Sequence, residues 1–184
     1  MKYWLFFLSF FITSSVFAEC TIDQQRFGVS SQTIENKLTV FKTYDPIPNV
    51  QKQIITVFEN VCPELEEALV FDTNLYYHFI KNRLVAIELE RARYDDLILF
   101  DWARQYFGIV EDRKIDEEQQ LIQVEESNRV IQLYISIQPD VVYQNVLIIS
   151  NQHVDLFEWL AQKEDEIDWE NFEIPESKTS EEEN

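Results

Sequence analysis

Two histidines, two cysteines and 34 Asp plus Glu are the side chains in this 184-residue sequence whose types could do chemistry. His78 sits in the apolar stretch 75–80. A histidine there acts as a base or a pH switch only if an acid or a nucleophile stands beside it. Neither is near in sequence, so His78 is expected to be a core or hairpin histidine holding one hydrogen bond. His153, Asp155 and Glu158 fall in the first turns of a predicted helix, where acids complement the helix dipole and the histidine is exposed. The tripeptide Asp72-Thr73-Asn74 matches two positions of the aspartic-protease signature. It has Asn where Gly is required, and no second copy exists to share a proton.

Adjacent acids such as Asp95 and Asp96, or Glu111 and Asp112, have the residue types of a glycosidase acid and base, but among 34 acids such pairs arise by chance. Asp116-Glu117-Glu118 lacks the spaced oxygen ligands and the glycine of a calcium loop. Gly28 and Gly108 are the only glycines. A phosphate loop, a dinucleotide fingerprint and a nucleophile elbow all need clustered glycines and are thereby excluded. Cys20 and Cys62 are too far apart for a redox Cys-x-x-Cys pair, and with His78 and His153 they lack zinc spacing. No catalytic residue, cofactor site or metal site is expected, and the chain reads as a non-enzyme.

The elements that must position these residues are legible from periodicity. A short helix is predicted over 30–38 behind a capping serine, and a β-branched strand over 53–58. Residues 69–71 and 75–80 read as strand, Lys81-Asn82 as a two-residue turn and 83–91 as the returning strand. That turn sets Ile80 opposite Arg83 and His78 opposite Val85. His78 then shares an apolar face with Tyr76, Ile80, Val85, Ile87 and Leu89. Over 94–107, Leu99, Phe100, Trp102, Ala103, Tyr106 and Phe107 fall on one helical face. Asp95 or Asp96 suits the start of that helix and Gly108 its end. Strands follow over 120–125, 129–137 and 141–150, with turns at 126–128 and 139–140, and Asn151 caps a helix over about 153–166.

Because each strand follows its predecessor through a short turn, the expected fold is α+β. It is an antiparallel sheet of five or six strands with helices packed on one face, reading as two similar helix-plus-three-strand halves. Trp102, Phe100, Ile87, Leu133 and Ile148 are expected in the core.

The first 18 residues have the layout of a secretory signal peptide: Lys2, an apolar run over 4–12, and Val16-Phe17-Ala18 as a cleavage pattern. The run is shorter than the roughly 20 residues of a spanning helix, so no membrane insertion is expected after cleavage. Glu19 before Cys20 argues against lipid attachment. Residues 19–168 are expected to form a single domain and 169–184 an acidic, partly disordered tail. Two cysteines in an exported chain are read as one bridge, Cys20 to Cys62, and a bacterial periplasm is the expected location.

A net charge of −19 excludes nucleic-acid ligands and disfavours anionic membrane surfaces. From 164 to 184 there are ten acids and one base, Lys178. Interleaved with those acids are aromatic residues, and an inhibitor or immunity-type role against a basic envelope-acting enzyme or toxin would use Trp169 and Phe172 as anchors and Glu170 and Glu173 as a steering rim. The alternative expectation is an accessory protein of envelope assembly, engaging another periplasmic or outer-membrane protein through a sheet edge or groove.

Overall fold

A computed structural model describes residues 20–22, 25–63, 65–94, 96–110 and 119–157. Its alternating stretches all join one sheet. Element order is α1 (Ser31–Glu35), β1 (Lys42–Tyr44), β2 (Gln51–Val57), a 3-10 turn (Phe58–Asn60), α2 (Glu67–Val70), β3 (Thr73–Ile80), β4 (Arg83–Arg93), α3 (Ile98–Tyr106), β5 (Gln119–Glu125), β6 (Arg129–Gln138) and β7 (Val141–Ser150). The sheet has seven strands in the order β1-β2-β3-β4-β7-β6-β5, and every neighbouring pair is antiparallel.

The antiparallel sheet follows the sequence reading, but the strand count and the two equal halves do not, and a mostly-sheet fold with a few short helices fits the expected α+β class only loosely. A four-strand meander, β1 to β4, meets a three-strand meander, β5 to β7, along the β4–β7 pair. The additional strand, β1, is three residues long with all three side chains exposed, so it carries no hydrophobic alternation to read. Residues 69–71, expected as strand, are instead the end of α2 and the turn after it. Asp72, at φ 64°, reverses the chain into β3. Ile98 rather than residue 94 opens the long helix.

One face of the sheet, called inner here, is apolar. Tyr77 pairs with Ile87, Ile87 with Ile148 and Ile148 with Ile131, while Leu75, Leu89, Val146 and Leu133 form the next row. All belong to one buried cluster with Leu99, Phe100 and Ala103 of α3 and Ile34 of α1. Of the five expected core residues, Phe100, Ile87, Leu133 and Ile148 are buried and Trp102 is half-buried against them.

Polar groups fix where α3 begins and ends. The guanidinium of Arg91, buried in β4, forks onto Asp96 at 2.9 and 3.1 Å and also donates to the Phe71 carbonyl at 2.6 Å. Gln144 of β7 accepts the Phe100 N–H at 3.0 Å and donates to the Asp96 carbonyl at 2.9 Å. Two otherwise unpaired ends, a helix N-terminus and a buried cation, thus satisfy each other. At the other end Gly108 takes φ 63°, its N–H reaching Gln105 and the Ile109 N–H reaching Arg104, the paired bonds of a Schellman stop.

Cys20 and Cys62 form the bridge, closing a sequence separation of 42. Beside it the Thr21 N–H and hydroxyl both reach the Val61 carbonyl, at 2.7 and 3.0 Å. Among the described residues no helix is long and apolar enough to cross a membrane.

Candidate functional site

The β3–β4 hairpin turns at Lys81-Asn82, both at positive φ, and Ile80 pairs with Arg83 as the two-residue turn dictates. Phe79 then pairs with Leu84, but His78 pairs with Ala86, so Val85 is an extra residue in β4. This β-bulge overturns the expected pairing of His78 with Val85. Every β4 side chain beyond it changes face relative to an unbroken ladder. Ile87 and Leu89 turn inward to the core, and Glu88 and Glu90 turn outward onto the face that carries Tyr76 and His78.

His78 is therefore buried on the outer face where its polar and apolar parts meet, without the Ile87 and Leu89 expected beside it. Its Nε2 lies 2.7 Å from Glu88 Oε2, and its Nδ1 lies 3.3 Å from Gln53 Nε2 on β2. Asn145 of β7 donates to the other Glu88 oxygen. The Tyr76 ring stacks on the imidazole at 6.3 Å between centroids, and Phe157 meets it edge-on at 5.2 Å. Burial pushes the Glu88 carboxyl up, but the hydrogen bond and charge of His78, with the Asn145 amide, outweigh it and hold Glu88 below the ordinary carboxylate range. Next along β4, Glu90 accepts the Tyr76 hydroxyl at 2.8 Å. Burial, with Glu90 alongside, drives the Tyr76 phenol upward, so it stays a donor.

Chemically, this arrangement holds charge in place. Nε2 of His78 faces Glu88 and Nδ1 faces the Gln53 side-chain amide, so both imidazole nitrogens are engaged, and the ring is covered by Tyr76 and Phe157. Glu90, Tyr134 and Tyr143 remain partly exposed on the same face. Beside Glu90 a cavity of about 270 Å³ opens between Tyr134 and Tyr143, with Ser136 and Asn145 also lining it. The opposite end of the outer face is apolar: Ile80, Val85, Ala86 and Ile149 form a second buried cluster, against which Val154, Leu156 and Phe157 pack.

The other residues singled out by type are scattered. Asp72 pairs with Arg93, the Thr73 hydroxyl donates to the Leu69 carbonyl at 2.5 Å, and Asn74 is exposed, so this tripeptide is a turn and a strand start. Asp96 is tied to Arg91, whose hydrogen bonds hold its carboxyl below the usual range, and it also accepts the Ile98 N–H at the start of α3. His153 lies 3.2 Å from the Ser150 hydroxyl, and burial lowers its pKa, contrary to the exposed histidine expected; Asp155 is exposed. Asp95, Glu111, Asp112, Asp116, Glu117, Glu118, Glu158 and the tail residues Trp169, Glu170, Phe172 and Glu173 lie outside the described residues. Among the described residues no three His, Cys, Asp or Glu side chains converge as a metal site.

Glu88, Glu90, Tyr76, Gln53 and Asn145 carry the site and were not singled out by sequence. Their signal is period two: Tyr76-x-His78 and Glu88-x-Glu90 each place two polar side chains on one strand face. No protein-family model matches the chain, and no curated protein or solved structure is significantly similar to it.

Proposed function

We propose that this protein is a non-enzymatic, exported binding protein, an inhibitor or immunity-type molecule that docks on a basic envelope-acting enzyme or toxin. The observation that carries the reading is the outer sheet face. There an ionised Glu88, Glu90 and the phenols of Tyr76, Tyr134 and Tyr143 lie on adjacent paired strands. Aromatic surface mixed with carboxylate on a rigid sheet suits a cationic protein surface: the rings supply contact area and the charges supply steering. The −19 net charge extends that field over the whole molecule. The disulfide and the signal-like first 18 residues support export, with a bacterial periplasm as the proposed location.

Affinity capture from the source cell envelope, at low and then moderate salt, tests this. A basic protein retained at low salt, released at moderate salt and lost with the Glu88→Gln/Glu90→Gln variant supports docking. Retention that is indifferent to salt and to both substitutions removes it.

A second reading, an accessory protein of envelope assembly, rests on β5. It ends the sheet with no strand beyond it among the described residues, and Leu121 on it is 54% exposed. An extended partner segment could pair there. Such capture would resist salt and be lost when Ile122 or Gln120 is replaced by Pro.

A further inference from the structure

Glu35, Glu88, Glu90, Asp96 and Glu126 are the described carboxylates that are neither buried nor fully exposed. Four face a basic side chain: Glu35 meets Lys52, Glu88 meets His78, Asp96 meets Arg91 and Glu126 meets Arg129. Glu90 differs. Among the described residues its one hydrogen bond comes from the neutral Tyr76 hydroxyl, and no Lys, Arg or His of those residues forms an ion pair with it. A carboxylate without a cationic neighbour is available to a group that supplies the opposite charge.

The surroundings of Glu90 indicate what supplies it. The carboxylate forms one wall of the roughly 270 Å³ cavity between Tyr134 of β6 and Tyr143 of β7. Ser136, small and buried, lies between the two tyrosine positions, paired directly with Tyr143. Asn145 adds an amide next to Glu90, its pairing partner across β4 and β7. A carboxylate flanked by aromatic rings over a small polar floor is the recognition chemistry of an alkylammonium or guanidinium group. The ring faces attract the cation and the carboxylate neutralises it.

We infer that the slot beside Glu90 receives the cationic head of one lysine or arginine side chain from the basic partner; the source of that cation, though not the slot, rests on the docking reading above. The flat guanidinium matches the carboxylate by a paired hydrogen bond, so arginine binds better than lysine.

The test uses the full-length protein and two probes of nearly equal shape, Nα-acetyl-arginine amide and its neutral counterpart Nα-acetyl-citrulline amide, followed by amide NMR shifts. The expected result is saturable shifts at Glu90, Tyr134, Tyr143 and Asn145 with the arginine probe and none with citrulline. Glu90→Gln should weaken the arginine probe by about fivefold or more while leaving the rest of the spectrum in place. Equal binding of citrulline, an unchanged Glu90→Gln titration, or shifts scattered over the acidic surface would overturn the slot. So would binding that appears only after Lys163→Ala and Lys178→Ala, since a lysine of this chain would then be the occupant. Probe binding without any captured basic protein leaves the slot and removes the docking reading; captured protein with no probe binding does the reverse.

Discussion

Arg91 shows how one charge is kept in this interior. It is 3% exposed, and its hydrogen bonds run to Asp96 and the Phe71 carbonyl. Removing one partner of such a pair strands the other, so Arg91→Met is expected to cost about 3 kcal/mol by urea denaturation at neutral pH. The carboxylates give the pH dependence its sign. Asp96 and Glu88 are both held below the ordinary range in the folded chain, whereas in the unfolded chain they bind protons near pH 4. Their stabilisation is therefore complete above about pH 4 and lost as pH falls through the folded values. The double variant Asp96→Asn/Glu88→Gln should show a shallower loss of stability over that acid range than the parent. His153, lowered by burial, acts at higher pH: its neutral form favours the fold above about pH 6.5, and stability falls as pH drops toward its folded value. A stability profile flat below pH 4 in the parent would contradict the pairing of both carboxylates.

At the scale of elements, the strong periods were legible and the bulge was not. β6 and β7 follow their alternation almost residue for residue, and Leu133 is fully buried as expected. Leu133→Ala should cost about 2 to 5 kcal/mol. The stop of α3 was also readable, because only a residue tolerant of positive φ fits position 108. Gly108→Ala meets no atom within 4 Å, so its expected cost, about 1 kcal/mol by the same urea measurement, is backbone strain alone. The bulge escaped because Leu84, Val85 and Ala86 are all apolar and buried, and either register covers them. A clue did exist. The unbroken register would have set Glu88 opposite Leu75 on the core face, stranding a carboxylate among Tyr77, Phe79 and Leu75; a one-residue bulge avoids that cost. The site was illegible for the same reason, since His78 meets Glu88 only after the shift.

The whole molecule combines a covalent tie at its N-terminal end with a strongly acidic surface. Closing a separation of 42 residues removes unfolded-state entropy worth about 4 kcal/mol in the chain-entropy model, so Cys20→Ala/Cys62→Ala should lower stability by about that amount by urea denaturation. The central claim is that the outer face of the sheet is where a basic partner binds. Hydroxyl-radical footprinting of the free protein and of its complex with the captured basic protein addresses it directly. Tyr76, Tyr134 and Tyr143 are expected to become protected, while Phe41, Phe71 and Tyr94, 80%, 66% and 72% exposed, keep their reactivity. Protection at Trp169 and Phe172, or at Phe41 and Phe71, with the three tyrosines unchanged, would contradict it.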